Sequence, residues 1–180
     1  KSMSNSEIYK MSALKLVSLV KRKKLNPVEI AEAHISRVKA LEPNVNAFKY
    51  FNSDILLNNA KIVNQQIENS NAEGLMLGVP VGVKDVFNTK EMPTCMGSPI
   101  WEGFTSGNNA RVVDHFLYEG GVISGKTVTA EFAVHHPGPT VNPLNSHHIP
   151  GTSSSGSVAA VAAGMTTLAL GTQTAGSTTR

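Results

Sequence analysis

Cysteine is almost missing. Cys95 stands alone in 180 residues, so no disulfide can close within the chain, and no Cys/His spacing of the zinc type occurs. Long apolar runs are missing too. The nearest, Val158 to Leu170, is broken by Gly164, Thr166 and Thr167 and falls short of the roughly 20 residues that span a bilayer. The opening, Lys1 to Lys10, is polar and lacks the apolar segment of a secretory signal, and Lys1-Ser2 ahead of Met3 reads as an added remnant. Together these absences predict a soluble, cytoplasmic protein without membrane, metal or cofactor. Charge is sparse at 16%, and the cationic excess gathers in Lys21-Arg22-Lys23-Lys24. No aromatics interleave with that run, so it reads as a solvated helix end, favoured by the helix dipole, rather than a nucleic-acid surface.

What is present fits a globular domain with a core of its own. Residues 12 to 23 and 27 to 41 predict two helices, the second opened by Asn26 as N-cap, Pro27 and Glu29. Its apolar face is Ala31, Ile35, Val38 and Leu41, and Pro43 is expected to stop it. A short strand from Ala47 to Phe51 and a helix from about Asp54 to Glu68 follow, then a polar loop from Asn69 to Gly74. From Leu75 onward short apolar runs alternate with helical patterns, the signature of an α/β fold with mostly parallel strands. Strands are expected near 79 to 83, 122 to 125 and 166 to 171, with helices near 109 to 119 and 156 to 164. The economical division is one α/β domain over 1–180, with 1–70 a helical scaffold and 71–180 the portion that carries chemistry.

From Ile149 to Thr179 there is no Asp, Glu, Lys or Arg, yet the span holds Ser153, Ser154, Ser155, Ser157 and Ser177. Hydroxyls without charges suggest a buried polar site. Pro150-Gly-Thr-Ser-Ser-Ser-Gly-Ser157 runs into an Ala-rich helix, and Gly171-Thr-Gln-Thr-Ala-Gly-Ser177 follows a strand. A serine-rich turn before a helix has a plain reading as an N-cap. A phosphate cradle would want the Lys of a Gly-Lys-[Ser/Thr] turn, and a lipase-type nucleophile would want Gly-x-Ser-x-Gly; neither occurs. A serine nucleophile would need a base from elsewhere. Of the six histidines, His34 and His115 fall in helical patterns and read as surface or boundary residues. His135-His136 and His147-His148 fall around a Pro-rich loop and support no triad motif. The other base is Lys84, at the carboxyl end of the apolar strand Leu77 to Val83, where open α/β sheets bind ligands. A surface Lys84 paired with Asp85 is the simpler reading; the apolar run before it argues for burial.

At these segments the chain resembles the amidase signature family of Ser-Ser-Lys serine hydrolases. The resemblance rests on Gly78-Val-Pro-Val-Gly-Val-Lys84-Asp85, Gly125-Lys-Thr-Val-Thr-Ala-Glu-Phe132, Pro139-Thr-Val-Asn-Pro143 and the two serine turns, with Ser153 and Ser177 24 positions apart. It implies an amidase-signature fold, a mostly parallel mixed sheet flanked by helices. It also implies Ser177 as nucleophile, Ser153 as a bridging serine on a cis peptide, Lys84 as base, and an oxyanion hole at the backbone N–H groups of Thr174, Ala175, Gly176 and Ser177. Ser154, Cys95 and Met96 would then lie near the substrate pocket, although a buried structural thiol is the plainer reading of Cys95. Gln173, Thr152, Ser155 and Ala175 depart from the common pattern without removing a catalytic group. Arg180 falls where the family carries an Arg soon after the nucleophile. The implied activity is hydrolysis of a carboxylic amide, urea or carbamate through an acyl-enzyme. The alternatives are a glutamine-hydrolysing A chain of a tRNA-dependent amidotransferase and a non-catalytic binding module. Family members are longer, so the expectation is the N-terminal part of such a fold, completed by a C-terminal half or by a homo-oligomeric partner.

Overall fold

The computed structural model describes residues 3–70, 73–134 and 136–179; Lys1-Ser2, His135, Arg180 and two positions of the 69–74 loop lie outside the described residues. The chain opens with four helices, α1 (Asn5–Ile8), α2 (Ala13–Lys21), α3 (Pro27–Val45) and, after a short strand, α4 (Ser53–Asn69). The start of α3 is a reciprocal cap: Asn26 Oδ1 accepts the Glu29 N–H and Glu29 Oε2 accepts the Asn26 N–H, both at 2.9 Å. Ser4 and Glu7 build the same box for α1. The basic run lies exposed at the end of α2, as a solvated helix terminus should.

Two expectations need correction here. Pro43 does not stop α3, which runs on to Val45. Near the C-terminus a proline forfeits only one helical bond, and the last turn is held by other means. Asn46 adopts the left-handed conformation (φ 53°, ψ 48°) and donates its N–H to Glu42 O, while the Glu42 carboxylate accepts the N–H groups of Ala47 and Phe48. His34 is not a surface residue but fully buried, its Nδ1 2.8 Å from Ile30 O and its Nε2 3.1 Å from Thr167 Oγ1. Burial pushes its pKa below the usual imidazole range.

The left-handed cap makes Asn46→Ala a specific test. A Cβ-bearing residue other than Asn pays about 1 kcal/mol in that conformation, so thermal unfolding of Asn46→Ala should come a few degrees earlier. Asn46→Gly should melt at or above the native temperature.

Among the described residues the sheet has four strands, β1 (Phe48–Tyr50), β2 (Pro80–Lys84), β3 (Val122–Thr127) and β4 (Leu168–Leu170), in the order β1-β3-β2-β4. β2 runs parallel to both neighbours, and only β1 is antiparallel. β3 extends two residues beyond the expected strand, because past a register slip beside Val81 and Gly82 it pairs again at Lys126 and Thr127. β4 is shorter than expected; Thr166 lies ahead of it and bonds through its side chain to Pro80 O and Ser124 Oγ. Helices α5 (Arg111–Tyr118) and α6 (Ser155–Ala162), with short 3-10 turns at Pro99–Trp101 and Glu131–Ala133, complete the element order. Every residue of β2 is buried, as for a central parallel strand covered on both faces.

Periodicity explains why α3 sits at the centre. Its Ile30 and Ala33 pack on α2, its Ala31 and Ile35 on Leu56 and Ala60 of α4, and its Val38 on Ala159 and Ala160 of α6. Successive turns of one helix thus address three neighbours. The consequence is local: α6 and the serine turn ahead of it are pressed against the carboxyl ends of β2 and β3.

Candidate active site

β2 delivers Lys84 to its carboxyl end with no exposed surface. The turn before α6 brings Ser153 and Ser154 over that end, and the loop after β4 brings Thr172 and Ser177. The Lys84 Nζ donates to Ser153 Oγ and Ser154 Oγ, each at 3.0 Å, and to Thr172 Oγ1 at 2.6 Å. Ser153 Oγ is in turn hydrogen-bonded to Ser177 Oγ. The result is a continuous chain from the Lys84 amine through Ser153 to Ser177, with Ser153 2% and Ser177 8% exposed.

The electrostatics of Lys84 follow from its surroundings. Its three partners are neutral hydroxyls, and burial alone lowers its pKa from 10.5 to about 8. The neighbouring carboxylate does not compensate, because Asp85 pairs with Lys126 Nζ at 3.2 Å. The simpler reading of a surface Lys84–Asp85 pair therefore fails. Lys84 is poised to exist partly as the free amine near neutral pH.

N-capping does not account for the serines either: Ser154, the N-cap of α6, makes no side-chain capping bond. Its Oγ instead donates to Thr172 O at 2.9 Å and accepts the Thr172 N–H at 3.2 Å. Ser157 Oγ bonds to Thr127 Oγ1 at 2.6 Å and donates to Leu170 O, tying α6 to two strands. The expected cis peptide is absent, since all described peptide bonds are trans. Ser153 is positioned by its carbonyl, which accepts the Ala130 N–H at 3.3 Å, and by Gly151 at φ 111°, a turn closed to most side chains.

Ser177 borders a cavity of ≈ 540 Å³ shared with Thr174, Ala175 and Gly176. Its other walls include Ala130, Val134, Pro137 and Ile149, and none of its described lining residues is charged. Among the described residues, no internal hydrogen bond engages the backbone N–H groups of Thr174, Ala175, Gly176 or Ser177. Of the three residues expected at the pocket, none borders this cavity. Ser154 is drawn to Lys84, Cys95 is buried with its N–H on the Asp85 carboxylate, and Met96 is held by the Asp85 carbonyl. A separate cleft of ≈ 260 Å³, between α4 and α5, includes neither the serines nor Lys84.

Sequence reasoning missed two contributors. Thr172 makes the shortest contact to Lys84, and its signal was its place in the second hydroxyl-rich turn. Lys126, fully buried, was hidden because the strand was expected to end one residue before it. The described histidines do not join the site: His115, His136, His147 and His148 are exposed and His34 lies on α3, while His135 is outside the described residues. No group of three or more His, Cys, Asp or Glu that could hold a metal occurs among the described residues, and no described helix is long and apolar enough to cross a membrane.

Known proteins share this arrangement of elements. A family model described as Amidase matches residues 29–180. The A chain of the glutamyl-tRNA(Gln) amidotransferase of Acidothermus cellulolyticus is 39% identical over 178 residues, covering 96% of this chain and 35% of the relative. Its counterpart in Streptomyces coelicolor is 36% identical, with coverage of 96% and 36%. Among solved structures, the peptide amidase of Stenotrophomonas maltophilia superposes with a TM-score of 0.82 at 28% identity, over 89% of this chain and 35% of that one. The chain therefore spans a little over a third of the length of the curated relatives it matches, and it superposes on a similar share of the solved peptide amidase.

Proposed function

The chain belongs to the amidase family, and from that premise we propose that it carries the catalytic centre of a serine hydrolase for carbon–nitrogen bonds of carboxylic amides, ureas or carbamates. Within it, residues 71–180 supply the chemistry and 1–70 the scaffold of one domain. The observation that carries this reading is the buried hydrogen-bonded chain from Lys84 through Ser153 to Ser177, with no carboxylate on the lysine.

In this mechanism the neutral Lys84 amine takes the Ser153 hydroxyl proton while Ser153 takes that of Ser177. Ser177 Oγ bonds to the substrate carbonyl carbon, and the carbonyl π electrons move to oxygen. The backbone N–H groups at 174–177 receive that oxyanion; one such donor typically lowers the barrier by about 3 kcal/mol. Collapse breaks the carbon–nitrogen bond, and the relay returns a proton to the leaving amine. Water then attacks the acyl-Ser177 ester through the same relay, releasing the acid and restoring both hydroxyls.

The test is labelling with a fluorophosphonate, located by peptide mass spectrometry. The adduct is expected on Ser177, at a rate that rises with pH through about 8 as Lys84 loses its proton and then levels off. An adduct confined to another serine, or no adduct at pH 9, would sink the proposal.

A second reading is favoured by the curated relatives, which are amidotransferase A chains. Here the same centre would release ammonia from glutamine inside a tRNA-dependent assembly. Glutaminase activity that appears only with partner proteins and tRNA supports that narrower role. Turnover of simple amides by the purified protein alone counts against it.

A further inference from the structure

Lys84 and Asp85 are consecutive, oppositely charged and both buried, at 0% and 1% exposure, yet the ion pair that Asp85 makes is with Lys126. The backbone accounts for part of this. Asp85 prolongs the strand, its N–H donating to Thr127 O at 3.0 Å, and successive side chains of a strand point to opposite sides. Lys126 accounts for the rest. Its Nζ donates to Asp85 Oδ1 at 3.2 Å, to Pro93 O at 3.0 Å and to Thr94 Oγ1 at 2.8 Å, so all three ammonium protons are used. Both Asp85 oxygens also accept the Cys95 N–H at 3.2 Å. The pair is fully satisfied, the condition under which a buried ion pair is tolerated.

We infer that Lys126 is a positioning residue for the relay: it holds the Asp85 carboxylate away from Lys84, so that the Lys84 amine meets hydroxyls alone and can take a proton. The inference rests on Lys84 being the base. The charged and titratable groups around Lys84 are few. The position after β2 contributes Asp85 and β3 contributes Lys126; the Cys95 thiol of the 93–96 turn and Lys49 of β1 act on that ion pair rather than on Lys84, and Lys49 itself pairs with Glu102 at the surface at 3.4 Å. Among the described residues, the turn before α6 and the loop after β4 present Lys84 with Ser153 and Ser154, and with Thr172 and, through Ser153, Ser177. Asp85 is thus the one carboxylate close enough along the chain to claim Lys84, and Lys126 is the group that occupies it.

Side-chain amine NMR on protein labelled with ¹⁵N-lysine tests this, with the Lys84 signal identified by its loss in Lys84→Met. In the native protein Lys84 should titrate near pH 8. In Lys126→Met the freed carboxylate should hold the Lys84 proton and raise that midpoint by about one pH unit or more, leaving about fivefold less free amine at pH 8, or less still. In Asp85→Asn, which keeps the side-chain shape and leaves Lys126 without its anion, the midpoint should fall below the native one. The double variant, with neither charge, should return to the native midpoint. A Lys84 midpoint that stays put in Asp85→Asn overturns the inference, even if Lys126→Met does not fold, and so does an unmoved midpoint in a folded Lys126→Met. Because the readout is the proton on Lys84, failure of Ser177 to take a fluorophosphonate would show separately, as failure of the hydrolase reading.

Discussion

Lys84→Met is expected to slow acylation of Ser177 by about 10²- to 10⁴-fold, the range a positioned general base contributes, and to flatten its pH profile. Methionine is close to lysine in length and carries no proton acceptor of comparable strength, so the change isolates the amine. The three hydroxyls do not all become orphans. Ser154 keeps both bonds to the Thr172 backbone, and Ser153 keeps Ser177. Lys84 is buried without an anionic partner, so replacing it by an apolar side chain removes a desolvation cost along with three hydrogen bonds. The melting temperature should therefore stay near the native value while the rate collapses. Acylation rates measured between pH 6 and 10 distinguish the cases. In the native protein the rate climbs through about pH 8, because burial lowers the lysine and only its neutral form can take the Ser153 proton. In the variant the residual rate should lack that step. A variant that acylates at the native rate would remove Lys84 from the mechanism. A variant that loses rate only as it loses its fold would reduce the residue to a structural one.

How much of this could be read in the sequence depended on whether the signal was local. The cap of α3 was legible because both halves, Asn26 and Glu29, lie within one turn. The burial of Lys84 was legible because an unbroken apolar run leads into it. Lys126 follows a similar run, Val122-Ile123-Ser124-Gly125, but Ser124 and Gly125 break the apolar pattern where the β2–β3 register slips, so the pattern ends the strand too soon. Pro43 misled for the opposite reason: a strong local stop signal was overridden by Asn46 and by the Glu42 carboxylate. His34 carries no sequence sign of its burial, since its partner Thr167 lies 133 residues away. Ser153 and Ser154 are the sharpest case. They are chemically identical neighbours, and nothing in the pattern says which one faces Ser177. The fold separates them by turning Ser153 to Ser177 and Ser154 to the Thr172 backbone. Spacing located the turn, the family resemblance singled out Ser153, and three-dimensional contact shows which hydroxyl touches Ser177.

Gly156→Ala should damage both stability and chemistry, and for one steric reason. Gly156 lies in the first turn of α6, where its N–H donates to Val128 O at 3.1 Å while Val128 donates its own N–H to Ala47 O at 2.9 Å. A Cβ on Gly156 would collide with Val128 N and Ala47 O and stand 2.8 Å from Val128 O. All three are main-chain atoms, so no side chain can swing aside and the helix itself must back away from the sheet. Overpacking of this kind costs about 3 kcal/mol at the upper end of its usual range, which for a chain of this size is a melting temperature lower by about 10 °C. The same displacement moves Ser153 and Ser154, which enter the helix just ahead of Gly156. A shift of about 1 Å in a catalytic group can cost roughly 10²-fold in rate, so acylation of Ser177 should fall even well below the melting point. Ala162→Ser, at an exposed position of the same helix, should change neither quantity. Thermal unfolding and fluorophosphonate labelling of the two variants side by side provide the measurement. Native behaviour of Gly156→Ala in both would mean that the close approach of α6 to the strand ends does not hold the serines in place.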